Sequence, residues 1–238
     1  MRKVRFIPGK FYHIYNRGVD KRNVFMEEAD MWRCLQGLCL FNDNRNASNI
    51  LWQIEKNKGR ISLGILKDYI IKEGRDPIVR ILAYCLMPNH YHLLVEELQE
   101  GGISKFMHKF GGYTFYFNKK YQRSGSLFEG PFKAVLVENE IQLQYLLIYI
   151  NVINPGQLVE PKLKEEGIRD IETVIKAADE YLFGTHQEYS GKRGSIIIDK
   201  GVLGEMFPTP ENYRNFVKQV LSDKKYQEVA HLTIEDLK

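Results

Sequence analysis

His90 and His92 stand one residue apart at the head of the run HYHLLVE. Alternate residues of a strand project to one side, so the two imidazoles face the same way while Tyr91 faces the other. Their Cα atoms lie about 7 Å apart in such a strand, so two neutral rings can converge on one divalent cation. Two histidines fall short of the four ligands of a closed zinc site. They suit an open site, in which water and a phosphate oxygen complete the shell. Alone, the tripeptide is more often a partly buried pair satisfied by hydrogen bonds, so its surroundings decide.

The 238-residue chain is 44% hydrophobic and 12% aromatic, enough to bury a real core. Its formal net charge of +4 is a mild tilt towards anionic partners. Cys34, Cys39 and Cys85 are odd in number and form no CxxC pair, as expected of reduced thiols in a cytoplasmic protein. The basic start MRKVRFIPGKFYHIYNRG has no apolar stretch or small-residue cleavage site, and no window approaches eighteen uncharged apolar residues. Neither export nor a membrane partner is expected.

The elements that must position the histidines can be read from patterning. Phe11 to Asn16 alternates and predicts a strand, and Glu27 to Phe41 carries apolar residues at helical spacing after an acidic first turn. Ile50 to Arg80 is the hardest stretch to assign; ISLGILKDYII suggests a short helix closed by Gly74. Val79 to Met87 and His90 to Glu96 form a hairpin across Pro88-Asn89. A helix from Ile103 to about Lys120, a strand at Phe132 to Glu138, and a helix opened by Asn139 and stopped at Asn154-Pro155-Gly156 follow. The order β-α-β-β-α-β then α predicts an α+β fold: a ferredoxin-like core with an antiparallel sheet. We divide the chain into a core at 1–160, with an insertion around 42–78, and a mainly helical C-terminal appendage at 161–238. Within the appendage, KLKEEGIRDIETVIKAADEYLFGT reads as one or two helices, SIII as a short strand and TPENYRNFVKQVL as a capped helix.

The pieces YHIYNRGVDKRNVF, YCLMPNHYHLLVE, GGISKFMHKFGGYTFYFNKKYQRSGSLFEGPFK, LLIYINVINP and EYLFGTHQEYSGK, in that order, resemble the HUH single-tyrosine transposases. Within that family the resemblance is to the REP-associated tyrosine transposase-like proteins. It implies a Mg²⁺- or Mn²⁺-dependent endonuclease and strand transferase acting on single-stranded or hairpin DNA. It also implies that His90 and His92 hold the metal while a helix tyrosine attacks the scissile phosphate, giving a 5′-phosphotyrosine and a free 3′-OH. Family members act as dimers or as monomers, so a homodimer is compatible with the resemblance.

Fourteen tyrosines make residue type uninformative by itself. The family places its nucleophile in a YIxxNP motif on the helix after the last core strand, which is Tyr149 here. Tyr145, one helical turn earlier, would be the second nucleophile of a two-tyrosine enzyme. The family's metal-binding asparagine lies four residues after the nucleophile; here that position is Ile153, and Asn154 comes one later. On a regular helix an i+5 residue is rotated by roughly 140°. Either the last turn is wound as a π-bulge that restores Asn154 as third ligand, or the ligand is lost or replaced. Pro131 stands where an arginine is common in the family.

For DNA binding, Lys119, Lys120 and Arg123 in the basic loop, with Lys133, and Arg17, Lys21 and Arg22 after the first strand supply cations for phosphates. The interleaved aromatics Phe110, Tyr113 and Phe117 fall at helical spacing and read as core. His13 reads as structural, with lining of the site as its alternative, and His108, His186 and His231 read as ordinary surface or core residues. Three functional readings follow: a metal-dependent tyrosine nuclease; a domesticated hairpin-binding protein of the same fold that cuts poorly, motivated by Ile153 and Pro131; and an RNA-binding module on a ferredoxin-like fold, in which the histidines are incidental.

Overall fold

Hydrophobic residues dominate the four strands of the computed structural model, which describes residues 4–45, 50, 56 and 63–233. The strands are β1 (Phe11–Arg17), β2 (Val79–Met87), β3 (His90–Glu97) and β4 (Lys133–Val137). They pair antiparallel in the order β2-β3-β1-β4, the ferredoxin-like arrangement expected. Helix α1 (Glu28–Phe41) is opened by a reciprocal cap between Glu27 and Asp30. Helix α2 (Leu63–Glu73) ends at Gly74, whose φ is +75°. Most of the remainder of the expected insertion lies outside the described residues.

The helix expected over Ile103 to Lys120 is two helices, α3 (Gly102–Phe110) and α4 (Gly112–Lys120). Adjacent glycines at Gly111 and Gly112 lower helix propensity at the break between the two helices. Helix α5 (Glu140–Ile148) is capped by Asn139, whose side chain accepts from the Gln142 amide at 2.9 Å. In the C-terminal region, helices α6 (Ile171–Glu180) and α7 (Pro210–Ser222) are capped by Asp170 and Thr209. A 3₁₀ segment follows at Lys225–Leu232.

The sheet separates two apolar clusters. One face, with Tyr12, Ile14, Leu93 and Val95, packs on α1, α3 and α4. The other joins Leu82, Leu94 and α5 to Val174, Val217, Val229 and Leu232 of the C-terminal region. Each such side chain contributes about 1.5–3 kcal/mol when fully buried, so this region is bound tightly to the sheet face that carries the histidines.

Residues 195–198 are not a strand. Ser195 Oγ accepts from the amides of Ile197 and Ile198 at 3.0 and 3.3 Å, folding the segment locally. The exposed polar backbone of edge strand β2 is met by separate amides instead: Phe183 O takes the Leu86 amide, and the Thr185 and Asp199 amides bond Tyr84 O and Ile81 O. Among the described residues no helix is long and apolar enough to cross a membrane.

Candidate active site

The Pro88-Asn89 turn that presents His90 is clamped by the loop after β1. Gly18 N donates to Asn89 O and Val24 N to Pro88 O, at 2.8 and 2.9 Å. Gly18 lets this loop fold tightly on itself, because a Cβ there would meet Arg22 O at 2.1 Å. The Asn89 side-chain NH₂ donates to Lys21 O at 3.1 Å, which turns its oxygen towards His90 Nδ1 at 2.6 Å. His90 Nδ1 therefore carries the hydrogen, and Nε2 is the ring's acceptor nitrogen.

His92 is fully buried beside His90, with ring centroids 4.9 Å apart. Its Nδ1 lies 2.8 Å from His13 Nε2, and His13 Nδ1 lies 2.7 Å from Leu232 O. His92 Nε2 is buried and has no hydrogen-bond partner among the described residues. Burial holds the His92 pKa well below its ordinary value, helped by the fields of His90, His13 and Lys164. A neutral imidazole with a bare, buried nitrogen is chemically ready for a cation, so the donor set fits the metal that the resemblance implies. Among the described residues no group of three or more His, Cys, Asp or Glu side chains is placed to hold a metal ion together. Any third ligand drawn from these residues would be of another type, such as an amide.

Tyr149 approaches from α5. Its ring meets His92 edge to face at 5.7 Å between centroids and is buried. The ring of Tyr145 instead stacks on Phe216 of α7 at 6.1 Å. Beyond Ile148 the helix widens into a π-turn over Tyr149–Ile153, closed by the Asn154 amide bonding Tyr149 O. Asn154 is thereby returned to the Tyr149 side, and the helix takes in Asn154 and Pro155 before it ends at Gly156.

Lys164 joins them. Its ammonium donates to the Tyr149 hydroxyl at 2.5 Å and to Asn154 Oδ1 at 3.2 Å. It arrives from the short helix Leu163–Glu166, a segment to which sequence reading assigned no chemistry. The sequence gives Asn89 no role at the site, and gives His13 a place there only as the lesser alternative. Their only signals were adjacency to His90 and the alternation that puts His13 on the Tyr15 side of β1.

The expected DNA contacts divide. Lys21 and Arg22 are exposed beside the His90 turn, and Lys119 is exposed at the end of α4. Arg123 lies half-buried over the Phe117 ring. Arg17 and Lys133 both pair with Glu129, at 2.8 and 3.6 Å. Lys120 is bound to Asp30 and Glu27 at 2.5 and 2.6 Å. Burial works against its ammonium, but those bonds prevail and raise its pKa.

Residues 53–152 match the family model "Transposase IS200 like". None of the curated proteins compared matches the chain. Among solved structures, similarity is found to a REP-associated tyrosine transposase bound to a REP hairpin. The TM-score is 0.46 at 10% identity, covering 84% of this chain and 93% of that one. The matched segment 53–152, which carries both site histidines and Tyr149, is thus similar to the IS200-like transposases.

Proposed function

We propose that this protein is a divalent-metal-dependent endonuclease and strand transferase acting on single-stranded or hairpin DNA through Tyr149. The observation that carries the reading is the phenol of Tyr149 set against the ring of His92 with a lysine ammonium on its oxygen. His90, His92 and Asn154 would hold Mg²⁺ or Mn²⁺, which supplies Lewis acidity at the scissile phosphate. The Tyr149 oxygen forms a bond to phosphorus as the bond to the 3′ oxygen breaks, leaving a 5′-phosphotyrosine and a 3′-OH. Lys164 offers the developing phenolate a charge-assisted hydrogen bond. Lys21, Arg22, Lys119 and Arg123, with Arg17 and Lys133, would track the backbone of the bound strand. In this reading residues 1–160 form the catalytic unit, and residues 161–238 support it by supplying Lys164 and covering the histidine face.

A second reading, hairpin binding without cutting, is favoured by Pro131, which occupies an exposed position beside Lys133 where the family pattern has a cation. Labelled single-stranded hairpin DNA incubated with Mn²⁺ and run on a denaturing gel separates the two. The expected result is a covalent protein–DNA adduct that survives in Tyr145→Phe and vanishes in Tyr149→Phe. Binding with no adduct in the unaltered protein establishes the second reading.

A further inference from the structure

His13 is the one fully buried imidazole of the site face with no place in the chemistry above. It sits on β1 two residues before Tyr15, which is opposite His92, and both of its nitrogens are engaged. A carbonyl oxygen can only accept, so His13 Nδ1 must donate to Leu232 O. In the neutral ring Nε2 is then an acceptor, and the hydrogen between the two imidazoles belongs to His92 Nδ1. That leaves His92 Nε2 as a lone pair, which is the buried atom without a hydrogen-bond partner. The opposite polarity would require a doubly protonated His13, and burying that charge is costly.

We infer that His13 is a positioning residue: anchored by the Leu232 carbonyl, it fixes His92 in the Nδ1–H tautomer and aims Nε2 at the cation. The inference rests on the metal reading of the site and deepens it. It makes the 3₁₀ segment 225–232 part of the site, because the backbone of Leu232 starts a polarity relay that ends at the ligand atom. Asn89 performs the matching task for His90 from the other side.

Two measurements on the full chain test this. Long-range ¹H–¹⁵N spectra of the metal-free, ¹⁵N-histidine-labelled protein should show His92 protonated at Nδ1 and bare at Nε2. Protonation at Nε2 overturns the relay whatever the variants do. Mn²⁺ titration followed by electron paramagnetic resonance should then show affinity falling about 10- to 100-fold in His13→Leu. His13→Gln, whose amide can accept from His92 and donate to Leu232, should stay within a few-fold of the unaltered protein. Equal Mn²⁺ affinity in a folded His13→Leu protein overturns the inference while leaving the metal reading intact. An unaltered protein that binds no Mn²⁺ overturns the metal reading and the inference with it.

Discussion

The Asn154 backbone amide bonds the carbonyl of Tyr149, five residues back, and this single contact offsets the departure of the chain from the YIxxNP pattern. One residue more than YIxxNP separates the tyrosine from the asparagine. A π-turn absorbs that extra residue and lets both side chains reach Lys164. If Asn154 is the third ligand, Asn154→Ala should weaken Mn²⁺ binding about tenfold or more while the circular dichroism spectrum is retained. Unaltered affinity would remove Asn154 from the metal shell.

Lys164 should pull in two directions. Its ammonium opposes positive charge on His92, and the same field opposes a cation beside that ring. Lys164→Met is therefore expected to bind Mn²⁺ more tightly, by a few-fold. Adduct formation should nevertheless slow by about 10- to 100-fold. That is the rate equivalent of the roughly 1.5–3 kcal/mol carried by a hydrogen bond to a charged group. Calorimetric titration and a single-turnover gel time course read the two effects separately.

Adjacent lysines on α4 should behave differently. Lys119 is exposed, and Lys119→Ala is predicted to reduce the salt slope of hairpin binding by about one unit. Lys120 covers the carboxylate of Asp30, which is fully buried. Lys120→Ala should cost about 2 kcal/mol of stability, since Asp30 keeps its bonds from Tyr121 and the Met26 amide. Thermal melts and fluorescence anisotropy over a salt series distinguish a structural lysine from a binding one.

His186 predicts an acid limit. Burial pushes its pKa down to about 4, with Asp179 pulling it upward and Lys192 and Arg214 adding to the depression. Its ring also bonds the Tyr213 hydroxyl at 3.0 Å. The unfolded chain takes up a proton near pH 6.5 that the folded one refuses until about pH 4. Stability is therefore full above pH 6.5 and declines between those values, by about 3 kcal/mol in total. Comparing melts at pH 7.5 and 5 for the unaltered protein and His186→Gln isolates this contribution. The variant should lose less stability on acidification.

Much of this molecule follows from local rules. Strand alternation put His90 and His92 on one face, Asn139 and Thr209 announced helix starts, and the β-α-β-β-α-β order led to the sheet topology. These features depend on residues within a turn or a strand of one another, so spacing alone reveals them. The break between α3 and α4 and the turn at Ser195 depart from the sequence expectation, because a glycine pair lowers helix propensity at the first and side-chain bonds to the backbone replace strand pairing at the second. The rest of the site had no local signature. His13 and His92 are 79 positions apart, His13 and Leu232 are 219 apart, and Lys164 lies outside the helix that carries Tyr149. Which imidazole tautomer is held, and which ammonium meets the phenol, became settled only when the C-terminal segment packed onto the sheet, because hydrogen-bond polarity is a property of the assembled contact and not of either residue alone.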